Sequence, residues 1–133
     1  MSLKVLIIDD DEVVLYIHKI MVMNSNLSLD PITFLNGKKT LDFLISDYSP
    51  AHKYLLLLDI NMPIMNGWEL LEAINSHGLI DNISVIMATS SINLADKNQS
   101  EKYGQVIAYA EKPISEEICQ TFKNLPELAG YFN

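Results

Sequence analysis

Short runs of apolar residues alternate along this chain with stretches in which apolar residues recur at helical spacing. Val5-Leu6-Ile7-Ile8 is apolar on both faces, as expected for a strand buried inside a parallel sheet. From Glu12 to about Asn24, apolar residues at Val13, Ile17, Ile20, Met21 and Met23 trace a helix face. Pro31 to Leu35 reads as a weak second strand broken by Asn36-Gly37, and Thr40 to Ile45 as a short helix closed by a loop around Ser49-Pro50. Tyr54 to Leu58 is the strongest strand signal. Leu70, Leu71 and Ile74 share one face of a helix that opens near Gly67 and ends near His77-Gly78. Ile83 to Ala88 predicts a fourth strand, Ala95 to Tyr103 a polar helix, and Val106 to Ala110 a fifth strand. After Pro113, the stripe Ile118, Phe122, Leu125 predicts a last helix, with Ser115 as N-cap.

Five strands alternating with five helices imply a parallel sheet covered on both faces. Right-handed crossovers make that a doubly wound α/β fold. The chain of 133 residues fits one domain, 1–133, and its 49% apolar content suffices for one core without disulfide or metal staples.

Charge and cysteine content narrow the setting. The net charge of −8 argues against direct nucleic-acid binding, which needs clustered Lys and Arg. The nearest basic pair, Lys38-Lys39, reads as a solvated helix face. No apolar run approaches the roughly 20 residues needed to cross a bilayer, so no membrane span is expected. The first residues, Met1-Ser2-Leu3-Lys4, lead straight into a strand-like segment without a signal-peptide core. A lone Cys119 suits a reducing compartment, and a cytoplasmic location is expected. Cys119 itself reads as a small buried apolar residue.

In an open parallel sheet, ligands bind beyond the carboxyl ends of the strands, where strand order reverses. Strand one ends in Asp9-Asp10, strand three in Asp59 with Asn61 two residues on, and strand four in Thr89; Lys112-Pro113 follows strand five. Carboxylates in one crevice repel unless they share a cation, and oxygen ligands favour a hard ion such as Mg²⁺. Asp9 and Asp10 then hold the metal and Asp59 serves as nucleophile, because an attacking carboxylate can accept a phosphoryl group as an aspartyl phosphate. Lys112 supplies further positive charge and the Thr89 hydroxyl a hydrogen bond.

Four segments carry a family resemblance: Val5 to Asp10; Leu57-Leu58-Asp59-Ile60-Asn61-Met62-Pro63 with Asn66-Gly67; Val85 to Ser90; and Tyr109-Ala110-Glu111-Lys112-Pro113. In order and spacing the chain resembles the response-regulator receiver family of two-component signalling. The resemblance implies a flavodoxin-like strand order 2-1-3-4-5. It implies that Asp10 binds Mg²⁺ directly, that Asp9 helps through water, and that Asn61 offers its backbone carbonyl. Asp59 is then the acceptor for a histidine kinase or phosphotransfer protein, Thr89 and Tyr109 form a switch pair, and Lys112-Pro113 is cis. Asn61 and Ser91 match positions that tune dephosphorylation. The face from about Ile92 to Leu125 is the one the family uses toward an output partner, here unknown. With no output domain after Asn133, either the signal leaves through that face or the chain is part of something longer. The expected state is a monomer or a phosphorylation-dependent dimer, with no catalysis beyond its own phosphorylation and dephosphorylation.

Three features depart from the simplest members: a longer stretch around Asp47 to Lys53, the third acid Asp11, and Glu111 before Lys112. Each site residue also has a plainer reading when taken singly. Asp11 reads better as a cap of the first helix than as a ligand. His18, His52 and His77 show no ligand spacing and read as structural or surface residues. Asn36-Gly37 and Asn66-Gly67 read as turns, and Trp68 as core or partner-facing. The rival reading is a Mg²⁺-dependent phosphatase of haloacid-dehalogenase type. It needs a second Asp two residues after the nucleophile, where this chain has Asn61.

Overall fold

The computed structural model describes residues 2–79, 81–90 and 92–132, so the expectations for Met1 and Ser91 lie outside the described residues. Its strands are β1 (Ser2–Ile8), β2 (Ile32–Phe34), β3 (His52–Asp59), β4 (Ile83–Thr89) and β5 (Val106–Glu111). Between and after them run α1 (Glu12–Asn24), α2 (Gly37–Asp47), α3 (Gly67–Ser76), α4 (Leu94–Ser100) and α5 (Glu116–Phe122), with a short 3₁₀ turn at Ala129–Tyr131. All strand pairs are parallel, in the order β2-β1-β3-β4-β5. The expected doubly wound sheet and its strand order are therefore present.

Alternation along the central strands divides the core in two. Leu6, Ile8, Leu56, Leu58, Val85 and Met87 pack with Leu41 and Leu44 of α2 and with Leu70, Leu71 and Ile74 of α3. Their neighbours Val5, Ile7, Leu55, Leu57 and Ile86 pack on the other side with Leu15 and Val22 of α1 and Cys119 and Phe122 of α5. A strand that serves both layers must be apolar at every position, which is why Tyr54 to Leu58 has no polar break. Cys119 is fully buried, as expected.

Two predicted helix faces are rotated in the structure. On α1, Val13 and Ile17 are 66% and 37% exposed, and the buried stripe is Leu15, His18 and Val22. The helix carries apolar residues on both candidate stripes, and counting His18 as polar concealed the one that packs. On α5, Ile118 points outward while Cys119 and Phe122 enter the core, and Leu125 lies beyond the helix end.

The Asn-Gly pairs are helix starts rather than turns. Asn36 accepts a hydrogen bond from the Lys39 N–H at 2.8 Å, so α2 begins at Gly37 and not at Thr40. Asn66 accepts from the Glu69 N–H at 2.9 Å, and the Glu69 carboxylate accepts from the Asn66 N–H at 3.0 Å, a reciprocal capping box. Asp11 caps α1 through the Val13 N–H at 2.9 Å, and Ser115 caps α5 through the Ile118 N–H at 3.1 Å, both as expected. In the longer stretch before β3, Asp47 is fastened by Lys4 at 2.9 Å and by the Tyr54 hydroxyl at 2.9 Å.

The β3–α3 connection contains a strained residue. Ile64 sits at φ +71° and is 95% exposed. Asn26 and Asn82 share the left-handed region, where a short amide side chain is tolerated and a β-branched one is not. Replacing Ile64 by Gly removes a strain of about 1–2 kcal/mol and loses no buried contact. Glycine's extra chain entropy takes back part of this. Ile64→Gly is therefore expected to raise unfolding free energy by about 1 kcal/mol in urea denaturation, and a lower value would show that the exposed isoleucine holds the loop.

Candidate functional site

The chain leaves β1 toward the β2 edge and later enters β3 on the other side of β1. The connections after β1 and β3 therefore diverge and open a crevice at their carboxyl ends. Asp9 follows the last residue of β1 and Asp59 ends β3, and the two are 1% and 2% exposed. Asp10 is exposed at the rim. One carboxylate oxygen from each of Asp9, Asp10 and Asp59 lies within 4.8 Å of the others.

Lys112 reaches this cluster from beyond β5. Its Nζ donates to Asp9 Oδ2 at 2.9 Å and to Asp59 Oδ1 at 3.2 Å. Its backbone N–H donates to the Thr89 carbonyl at 2.6 Å, which joins the turn after β5 to the end of β4. Thr89 is buried at that same rim. The Lys112-Pro113 bond is cis, as the resemblance implied.

The two oxygens of Asp59 differ. Oδ1 accepts from Lys112 and, at 3.4 Å, from the Asn61 N–H. Oδ2 is buried and has no hydrogen-bond partner. Burial first, and then the Asp9 carboxylate, push the Asp59 pKa up to about 6, against the opposing pull of Lys112. Burial alone would lower the pKa of Lys112. Its hydrogen bond to Asp9 and the charges of Asp59 and Asp9 outweigh that, so the ammonium is held above its ordinary range. Three converging carboxylates served by one ammonium, with a buried oxygen left over, form an all-oxygen donor set suited to a hard divalent cation.

Tyr109 is half-buried on β5, in register with Met87. Its hydroxyl is buried and makes no hydrogen bond of good geometry. Burial, followed by the nearby charge of Asp96 on α4, pushes its pKa up to about 12.

The structure thus clusters the carboxylates of Asp9, Asp10 and Asp59 and places Lys112 against Asp9 and Asp59, with Thr89 and Asn61 tied to the group through backbone bonds. Tyr109 stands apart beside Asp96. His52 and His77 sit near the surface, where His52 pairs with Ser2 and His77 with the Ala73 carbonyl. His18 is structural and buried, as one of its two expected settings had it.

Gly67 belongs to a segment that carries the family resemblance, but what its missing Cβ does was hidden in the sequence. A Cβ on Gly67 would lie 2.7 Å from the Asp59 carbonyl oxygen and 3.1 Å from the Ile60 Cα, both backbone atoms. The Gly67 N–H donates to the Ile60 carbonyl at 2.8 Å, so α3 starts pressed against the strand end that carries Asp59. The available signal was Gly67 eight residues after Asp59, but an Asn-Gly pair reads equally as a turn.

Comparison with known proteins agrees with this architecture. A family model described as the response regulator receiver domain matches residues 5–122. The chain is 30% identical over 101 residues to stress response regulator protein 1 of Clavispora lusitaniae, covering 74% of this chain and 50% of that protein. It is 33% identical over 115 residues to transcriptional regulatory protein CitT of Halalkalibacterium halodurans, covering 86% of this chain and 48% of that one. The chain thus spans about half the length of these two curated relatives. In fold it matches the crystal structure of a two-component response regulator from Cytophaga hutchinsonii with a TM-score of 0.82, at 24% identity, covering 93% of this chain and 95% of that one. Among the described residues, no helix is long and apolar enough to cross a membrane.

Proposed function

The chain belongs to the response regulator receiver domain family, and from that premise we propose that it is a phosphorylation-dependent switch whose acceptor is Asp59. It is a signalling domain of two-component systems rather than a classical enzyme. The observation that carries the proposal is the asymmetry of the Asp59 carboxylate. Oδ1 is held by Lys112 and Asn61, while the buried Oδ2 has no partner.

In the proposed reaction, a carboxylate oxygen of Asp59 attacks the phosphorus of a phosphohistidine on a histidine kinase or phosphotransfer protein. The P–N bond breaks as the P–O bond forms, and the donor imidazole leaves with the bonding electron pair. With its pKa near 6, Asp59 is largely ionised at neutral pH and needs no base. Asp9, Asp10, Asp59 and the Asn61 backbone carbonyl are the proposed holders of Mg²⁺, which when bound neutralises charge on the phosphoryl oxygens. Lys112, already between Asp9 and Asp59, contributes a second positive charge to the same oxygens. The buried Thr89 supplies a hydroxyl to the transferred group, and Tyr109, lacking a firm hydrogen bond, is the proposed mobile member of the switch pair.

The signal then passes to an unidentified output partner through the surface between about positions 92 and 125. It does so by a difference in partner affinity between the two states. We further propose that residues 1–133 act as one domain and work in the cytoplasm.

The test is labelling by acetyl phosphate with Mg²⁺, read by intact mass. The parent chain is expected to gain one phosphoryl group, and to lose that ability when the metal is chelated. Asp59→Asn is expected to gain none, and stoichiometric labelling of that variant refutes the assignment.

A further inference from the structure

We infer that His18 on α1 is a positioning residue that holds the turn after β5, from which Lys112 reaches Asp9 and Asp59. The inference rests on the reading of Asp59 as phosphoryl acceptor and adds a residue that no family motif in this chain includes.

The argument follows the backbone donors of the turn. Parallel pairing of β4 and β5 ends at Thr89 and Glu111. The next N–H, that of Lys112, donates to the Thr89 carbonyl at 2.6 Å. Pro113 has no N–H to offer. The donor after it, on Ile114, is buried, and it donates to His18 Nε2 at 3.0 Å across 96 residues of sequence. Lys112 therefore lies between two anchors, one on β4 and one on α1.

The second anchor fixes the direction of the turn. The Lys112 side chain must cross from the end of β5 to β1 and β3, past β4. His18 stands on α1, the helix entered directly after Asp9 and Asp10, so the turn from which Lys112 extends is tied to the helix that follows a carboxylate Lys112 grips. The ring belongs to the buried stripe Leu15–His18–Val22, where an aliphatic side chain would serve the core equally well. Only a group with an acceptor atom at that reach serves Ile114. Burial pushes the His18 pKa below its ordinary 6.5 and so favours the neutral ring, and the Ile114 N–H aimed at Nε2 selects the tautomer whose proton sits on Nδ1, leaving Nε2 to accept.

The experiment measures the rate of acetyl phosphate labelling with Mg²⁺ in five single variants, Asp59→Asn among them, and one double variant. His18→Leu keeps the apolar packing and removes the acceptor. His18→Gln carries its carbonyl oxygen about as far as Nε2, and His18→Asn ends short of Ile114. Leu and Asn are expected to slow labelling about tenfold or more, because displacing a charged group by about 1 Å costs on that order, whereas Gln recovers most of the rate. Amide exchange at Ile114 is expected to quicken with Leu and Asn and not with Gln. In a Lys112→Ala background, whose slower labelling is followed over longer times, adding His18→Leu is expected to change the rate less than twofold. Should the Leu variant not fold, the Gln and Asn pair alone decides.

Parent-like labelling by both Leu and Asn overturns the inference, as does an undiminished slowing by His18→Leu when Lys112 is already absent. Asp59→Asn separates the two levels: if it stays unlabelled while His18→Leu labels normally, the acceptor stands and only the role of His18 falls.

Discussion

Asp59→Asn is expected to be more stable than the parent chain in metal-free solution at pH 7, by about 2–3 kcal/mol. Burial and the Asp9 charge raise the Asp59 pKa from an ordinary 3.8 to about 6 in the folded protein. The native state thus holds a proton that the unfolded chain releases between those two values. Stability associated with this group is fully present below pH 3.8 and is lost as pH rises through 6, because above it a charge must be kept in a buried crevice. The amide removes that charge and keeps the shape. The advantage of Asp59→Asn should therefore fade as pH falls toward 4, and urea denaturation at pH 4, 5, 6 and 7 reads the trend directly. Mg²⁺ works the other way, since a cation bound to the folded site stabilises it by mass action. It should raise the parent's stability more than that of a variant lacking one carboxylate. An Asp59→Asn chain that is less stable at pH 7, by an amount independent of pH, would show that the carboxylate is not strained by its surroundings.

The same energetics explain which features could be read from the residues alone. Tyr54 to Leu58 announces a central strand because both layers of the core need it apolar, and a pattern imposed from both sides admits one interpretation. Asp9 and Asp59 are legible for the opposite reason. A carboxylate at the end of such a strand is costly unless it serves a cation or a reaction, and two strands ending this way point to one crevice.

Where one helix carries two apolar stripes, the residues do not say which is buried. On α1 the choice fell to Leu15, His18 and Val22 because β1 and α5 pack there, a tertiary fact. The partner of His18 is a backbone N–H 96 residues away, and backbone groups leave no trace in side-chain patterns. Gly67 is similar: its missing Cβ matters only because the Asp59 carbonyl passes 2.7 Å from where that atom would stand. The exposed Val13 and Ile118 belong to the same class, since packing on other elements decided which way they face.

Lys112→Ala is expected to act in the opposite direction to Asp59→Asn, lowering stability at pH 7 by about 3 kcal/mol, because it strands two buried carboxylates without their cation. Lys112 now restrains the rise in the Asp59 pKa, so its removal lets that pKa climb further. The cost should therefore shrink as pH falls, when the carboxylate takes up a proton instead. A double variant separates this from lost packing of the lysine stem. Adding Asp59→Asn to Lys112→Ala should recover more stability than Asp59→Asn confers on the parent, since each charge is most costly when the other group is missing. Labelling by acetyl phosphate should also slow about 100-fold, the order expected on removing one preorganised charge from a phosphoryl-transfer site. If the two substitutions simply add in stability, the 2.9 and 3.2 Å contacts of Lys112 are not what makes Asp9 and Asp59 tolerable together. Another source of positive charge must then be sought in the crevice.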